Sequence, residues 1–188
     1  GCMSGRIRLP LPTRLKPPGP DSCQDASTVS GTGSIVTVRG CTACNACTES
    51  RDSTCPGISD DDFQLYFDKM VKADIIVVGS PVYFGSAAPE LMALLDRAGY
   101  VSRASGQLFS RKLGGPIAVA RRAGHNFTFA QLLMWYMIND MIVPGSSYWN
   151  VALARNPGSV QDDEEALMTI DRFADNLAWL ADKTLRHG

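Results

Sequence analysis

The chain has 188 residues, 45% hydrophobic and 20% charged, enough for one domain with a buried core and too apolar for a disordered chain. Its formal net charge is −1, from 18 Lys and Arg against 19 Asp and Glu, and no basic stripe marks it for nucleic acid or an anionic membrane. No apolar run approaches the ~20 residues that span a bilayer, and Gly1-Cys-Met-Ser4 opens no signal core, so the expected location is the cytoplasm. There the six cysteines serve as reduced thiols, metal ligands or redox groups.

In chain order, a first strand is expected near residues 6–11, although two prolines there remove ladder donors. Residues 12–33 run through Leu15-Lys-Pro-Pro-Gly-Pro20 into a Ser, Thr and Gly-rich stretch and read as loop. Residues 1–33 therefore form an atypical, partly irregular segment ahead of a domain over 34–188. Ser34-Ile-Val-Thr-Val-Arg39 reads as a strand by its β-branched content. After the cysteines, Ser59-Asp-Asp-Asp62 supplies a helix N-terminus, and Phe63, Phe67, Met70 and Val71 give that helix an apolar face.

Ile75-Ile-Val-Val78 lacks polar alternation and predicts a strand buried on both faces, broken at Gly79-Ser-Pro81. A helix from about Ala88 carries Leu91, Leu94, Leu95 and Ala98 on one side, with Gly99 near its end. Arg111 to Pro116 reads as a linker, Pro116 to Ala120 as a strand, and Phe127 to Asn139 as a well-buried apolar helix. Met141 to Gly145 reads as a short strand and Ser146 to Asn156 as an irregular extension. The last helix opens on Asp162-Asp-Glu-Glu165 and repeats Leu167, Ile170, Phe173, Leu177 and Leu180 at helical spacing. Strands alternating with helices predict βαβ units, a parallel sheet and helices on both faces.

Two constellations carry chemistry. Cys41-x2-Cys44-x2-Cys47-x7-Cys55, followed by Pro56, has the core spacing of iron–sulfur ligand runs with a longer last gap. Four thiolates also suit zinc, and four unfilled thiols are the plain alternative. Cys2 and Cys23 read as free thiols. The second constellation is a pair of loops, 80–86 and 121–126, each leaving the carboxyl end of a strand, where open parallel sheets bind ligands. They bring together Tyr83, Phe84, Arg121, Arg122, His125 and Asn126 with backbone amides, a lining suited to a flat heteroaromatic cofactor.

Gly79-Ser-Pro-Val-Tyr-Phe-Gly-Ser86 resembles the flavin loop of the NADPH-dependent FMN reductase and iron–sulfur flavoprotein group. The triple cysteine spacing, Asp60-Asp-Asp62, Val119-Ala-Arg-Arg-Ala-Gly124 and Gly145-Ser-Ser-Tyr-Trp-Asn150 fit the same family, over roughly residues 34–185. The resemblance implies a flavodoxin-like, doubly wound sheet of order 2-1-3-4-5. It implies FMN held by Ser80, Pro81, Val82, Tyr83, Phe84, Gly85, Ser86, Arg121, Arg122 and Gly124, and a [4Fe-4S] cluster on Cys41, Cys44, Cys47 and Cys55. The implied activity is electron transfer from NAD(P)H or ferredoxin to a small acceptor, in a homodimer or homotetramer. The departure is Pro12-Thr-Arg-Leu-Lys-Pro-Pro-Gly-Pro20, which stands where the family cradles the FMN phosphate but lacks the N–H groups that such a loop needs. That departure favours the alternative, a cofactor-free or zinc-stapled interaction protein on the same fold.

Overall fold

The computed structural model describes residues 37–185. The chain divides between Ile35 and Val36, and the described residues belong to the second unit. The expected strand at 6–11, the loop at 12–33 and the first half of the strand at 34–39 lie outside them.

Residues 37–39 are not in a strand. Their backbone is held by carboxylates instead. Thr37 donates to Asp62 Oδ2 at 3.0 Å and accepts from the Asp62 amide at 2.9 Å, while Arg39 N–H donates to Asp61 Oδ2 at 2.9 Å. The acids expected to favour a helix dipole thus pin a neighbouring segment, and Asp62 makes no side-chain cap for the helix it precedes.

Among the described residues the sheet has four strands: β1 (Ile75–Tyr83), β2 (Ser86–Ala87), β3 (Leu113–Ala120) and β4 (Val151–Leu153), in the order β2-β1-β3-β4. β1, β3 and β4 are parallel, and β2 folds back on β1 through Val82 and Tyr83. β1 does not break at Gly79. It stays in register with β3 to Pro81, paired with Val119, and Pro81 sits on a strand whose other edge has no partner there among the described residues. Nor is it buried on both faces. Ile76, Val78 and Ser80 point into the core, whereas Ile75 and Val77 are exposed.

β3 begins at Leu113, so Gly114 and Gly115 are strand rather than linker. A side chain on Gly114 would stand 1.8 Å from the Ile76 carbonyl oxygen and 3.0 Å from the Tyr136 ring. The glycine that looks like punctuation is a close approach between strand, strand and helix. The strand expected at 141–145 shrinks to one bridge, Ile142 to Leu113, and β4 lies in the stretch read as irregular. The two belong to one interrupted strand. Nine steps of chain from Ile142 to Val151 (151 − 142) face five on β3 (118 − 113), so the surplus leaves the sheet as a loop carrying Tyr148 and Trp149.

Helices α2 (Phe63–Lys72), α3 (Pro89–Ala104), α4 (His125–Ile138) and α5 (Glu164–Thr184) flank the sheet. α3 starts on a proline, whose missing N–H is harmless in a first turn, and runs past Gly99 to Ala104. Gly99 is interior because α4 packs there, with Trp135 Nε1 donating to the Leu95 carbonyl at 2.7 Å. On the α2–α3–α4 side, the rings of Phe63, Phe67, Phe109, Trp135 and Tyr136 form a chain with successive centroids 5.3–5.8 Å apart. On the other side Phe173 and Leu177 of α5 pack on Leu113. Helices on both faces of a mostly parallel sheet make the expected doubly wound class. No helix among the described residues is long and apolar enough to cross a membrane.

The fully buried Tyr136 hydroxyl lies 3.0 Å from both the Ile76 and the Gly115 carbonyl oxygens, joining β1 to β3 from above. Removing it costs one net hydrogen bond. Tyr136→Phe should lower the free energy of unfolding by about 1–2 kcal/mol at an unchanged denaturant slope, read by chemical denaturation.

Helix α4 is only half as buried as expected. Thr128, Leu132, Trp135 and Tyr136 face inward, but Phe127, Met134, Met137 and Ile138 are exposed. An uncharged helix thus presents an apolar outer face.

Candidate functional site

The cysteine segment is built from turns. Ala43 (φ 52°) and Asn45 (φ 61°) adopt the left-handed conformation, the short helix α1 (Ala46–Ser50) follows, and Arg51 (φ 50°) closes it. These reversals bring Cys41, Cys44, Cys47 and Cys55 around one cavity, which Arg97 and Tyr100 also line. All four cysteines are free thiols. Cys47 and Cys55 pack in part against the main core, while Cys41 and Cys44 are exposed. A Cβ on Gly57 would stand 2.3 Å from Cys44 Sγ, so that glycine keeps space open beside the sulfur.

Hydrogen bonds from the Ala46 amide and the Thr42 side chain hold the Cys44 thiol below its ordinary value. Burial, and then the neighbouring thiol of Cys55, push Cys47 up. Four thiols in one place fit a thiolate-bound metal group by donor type and number. Among the described residues no group of three or more His, Cys, Asp or Glu side chains is arranged as a metal-ion site.

Arg97 is the residue here that sequence reasoning missed. It is 1% exposed, pairs with Asp61, and lies 4.1 Å over the Phe63 ring. The signal was present, because Arg97 falls beside Leu94, Leu95 and Ala98 on the face of α3 that turns inward. A charge placed among those residues must be paired. Burial works against the Asp61 carboxylate, but the Arg39 amide and the Arg97 guanidinium hold it below the usual range. A carboxyl so lowered contributes stability fully above about pH 4, its unfolded value, and loses it as pH falls through the folded value. Asp61→Asn should therefore flatten the acid limb of the stability curve, read by circular dichroism from neutral pH downward.

The two strand-end loops meet. A Cβ on Gly124 would lie 2.9 Å from Val82 Cγ1 and 3.1 Å from Gly85 Cα. Phe84 (φ 51°) and Gly85 (φ 81°) turn the first loop, and Gly124 (φ 89°) heads α4 in the second. Phe84 is fully exposed and Tyr83 is 55% exposed, so both aromatic faces stand uncovered. Arg121 and Arg122 are exposed, and His125 Nδ1 is buried without a hydrogen-bond partner among the described residues. Open rings, close-packed glycine backbone and an orphaned ring nitrogen fit a flat, polar-edged ligand such as a flavin ring.

Not every expected residue faces outward. Ser80 is 3% exposed, and its hydroxyl accepts from the Ala88 amide at 2.9 Å and donates to the Pro81 carbonyl at 2.8 Å. Its side chain closes the turn into α3. Val82 packs against Gly124, and Pro81 is exposed on β1. Ser86 Oγ donates to Gln131 Oε1 at 3.0 Å, the same atom that accepts from the Ala87 amide. Gln131, the polar residue within the apolar run of α4, anchors the loop and was not foreseen. Tyr83, Phe84, Ser86, Met92, Asp96 and Gln131 line a cleft of about 570 Å³ that reaches Gly40, next to Cys41. Burial pushes the Asp96 carboxyl up.

The NADPH-dependent FMN reductase family model matches residues 26–156. An iron–sulfur flavoprotein of Methanocaldococcus jannaschii is 35% identical over 145 residues, which span 73% of this chain and 72% of that one. Another, from Methanosarcina thermophila, is 32% identical over 142 residues, 74% of this chain and 71% of its own. Among solved structures, a WrbA-like flavodoxin from Agrobacterium tumefaciens superposes with a TM-score of 0.53 at 15% identity, over 62% of this chain and 71% of that one. The Trp repressor binding protein of Bacillus subtilis does so at 0.50 and 17%, over 72% and 94%. These two show the fold alone. On a flavodoxin-like fold and with a match over most of its length, this chain belongs to the NADPH-dependent FMN reductase and iron–sulfur flavoprotein family and is an FMN oxidoreductase.

Proposed function

We propose that this oxidoreductase takes electrons from a reduced nicotinamide or a ferredoxin and passes them to a small acceptor, with a [4Fe-4S] cluster on Cys41, Cys44, Cys47 and Cys55. The observation that carries the proposal is the shared cavity, which four free thiols spread over fifteen residues (41–55) all line. Three cysteines at C-x2-C-x2-C spacing, rather than two separated C-x2-C knuckles, suit a cluster, which takes each thiolate at a separate iron. The names of the relatives, iron–sulfur flavoproteins, support the same reading.

FMN supplies the two-electron chemistry at N5 when bound. The protein binds and orients it. Tyr83 and Phe84 cover the ring, the Gly85 and Gly124 backbones let it approach, and Arg121 or Arg122 favours negative charge at its N1/O2 edge. Ser80 and Gln131 hold the loop from behind. The apolar outer face of α4 supports assembly of copies of this chain into a homodimer or homotetramer, and cytoplasmic reducing conditions keep the thiols free.

The test is anaerobic reconstitution of the full chain with iron and sulfide. The proposal expects absorbance beyond the flavin bands, with iron and sulfide in equal amounts. A chain that binds FMN, is reduced by NADPH and takes up no iron is instead a two-electron reductase with incidental cysteines. The exposure of Cys41 and Cys44 favours that second reading.

A further inference from the structure

Arg97 does more than fill the core. Nη2 donates to the Ile58 carbonyl at 2.7 Å, and Nη1 donates to the Arg39 carbonyl at 3.3 Å and to Asp61 Oδ2. Arg39 is two residues before Cys41, and Ile58 is three after Cys55. One side chain on α3 therefore holds both ends of the cysteine segment. The same side chain lines the cysteine cavity, and its Nε–H is buried with no acceptor among the described residues. Nη1 and Nη2 are both paired, so the one guanidinium nitrogen left without a partner belongs to a side chain that lines the cavity, where an acceptor can enter.

We infer that Arg97 is the positioning residue of the cysteine site: it clamps both ends of the motif and presents a free N–H to the sulfurs, and so governs how readily that site accepts an electron. The inference rests on the cluster reading above. One electron arrives from reduced FMN, or from dithionite in the test. No bond is broken and no proton moves, so the site becomes more negative by one charge. A charge-assisted N–H donor beside the sulfurs lowers the free energy of that added charge. Asp61 keeps the guanidinium fixed, and its own charge is divided between Arg97 and the Arg39 and Phe63 amides.

The test compares three proteins: wild type, Arg97→Lys, and the double variant Arg97→Met with Asp61→Leu. The double variant is needed because a buried Asp61 left alone destabilises the fold. Lysine retains the charge but cannot keep the guanidinium fork on several acceptors at once. The midpoint potential of the anaerobically reconstituted chain is read by dithionite titration at matched iron content. The double variant should be about tenfold harder to reduce, about 59 mV for one electron, with Arg97→Lys between it and wild type. A double variant that melts like wild type but no longer retains iron also supports the clamp. A fully loaded, normally melting double variant with the wild-type potential overturns the inference. If the double variant does not fold, Arg97→Lys decides by the same potential.

A second probe separates this inference from the reading beneath it. Cobalt(II) gives a thiolate charge-transfer band without cluster assembly. Wild type that takes up neither cobalt nor iron removes both the inference and the cluster reading. Wild type that binds cobalt, with Arg97→Lys binding at least tenfold more weakly, upholds the clamp independently of iron. Equal cobalt affinity, together with an unchanged potential, removes Arg97 alone.

Discussion

Gly124→Ala should weaken FMN binding about 10–100-fold, equivalent to about 1.4–2.8 kcal/mol, and the chain should keep its fold. The argument is steric and conformational at once. Gly124 heads α4 at φ 89°, in the left-handed region, where a Cβ costs about 1–2 kcal/mol for most residues. The added carbon also has nowhere to go. It would meet Val82 Cγ1 at 2.9 Å and the Gly85 backbone at 3.1 Å. Val82 can rotate away, but Gly85 Cα is main chain and must move with its loop. The displacement falls on the contact that brings the two strand-end loops together, well away from the aromatic chain of the core. Thermal denaturation should shift only modestly, and fluorescence titration with FMN, well below the melting temperature, should show the loss. Adding Val82→Ala should restore part of the affinity, because it removes one of the two collisions. Unchanged affinity in Gly124→Ala would take the loop 121–126 out of the flavin site.

Those loops could be read from the sequence because both signals were local. A branched apolar run ending in Gly-Ser-Pro and an aromatic pair, and a second run ending in two arginines and a glycine, each mark a strand's carboxyl end. The strand order placed them side by side. The places where the structure departs from the sequence pattern are set by close contacts or interruptions that no local pattern carries. Gly114-Gly-Pro116 has linker composition, yet Gly114 lies in a strand because Ile76 and Tyr136 approach too closely for a side chain. β4 is three residues long and its strand is interrupted by a loop, so no period could reveal it. Val77 is apolar on both readings, and only the finished packing shows it exposed. Ser80 is expected at the cofactor from its place in the motif, and its hydroxyl in the structure holds the turn into α3.

Arg97 and Gln131 teach the converse lesson. Arg97 stands on the buried face of α3 and Gln131 within the apolar run of α4, and each holds a candidate site from behind: Arg97 through the carbonyls that flank the cysteines, Gln131 through Ser86 and Ala87. Their partners lie 36 to 58 residues away for Arg97, and 44 and 45 away for Gln131. A pattern read along one helix can show that such a residue must be satisfied, but not by what.

Cys44→Ser should abolish iron retention after anaerobic reconstitution while leaving both the fold and FMN binding intact. Cys44 suits the test better than its neighbours. Cys47 and Cys55 pack in part against the main core, so a loss of iron on changing them could follow from repacking. Cys44 is exposed, and its sulfur's close neighbour is the open space at Gly57. Serine keeps the size and the local hydrogen bonds from Ala46 and Thr42, but its hydroxyl is a far poorer ligand for soft metal centres than a thiolate. Near-complete loss of iron with an unchanged melting temperature and flavin titration would assign the thiol to a metal group. Iron retained at the wild-type level would leave Cys44 outside it. A companion change, Gly57→Ala, tests the cavity without touching a thiol. Its Cβ would press on the Cys44 sulfur, so iron content should fall while all four cysteines remain. Iron lost in Cys44→Ser but fully kept in Gly57→Ala would mean that the sulfur moves on loading, and that the cavity among the free thiols is looser than the site that holds the metal.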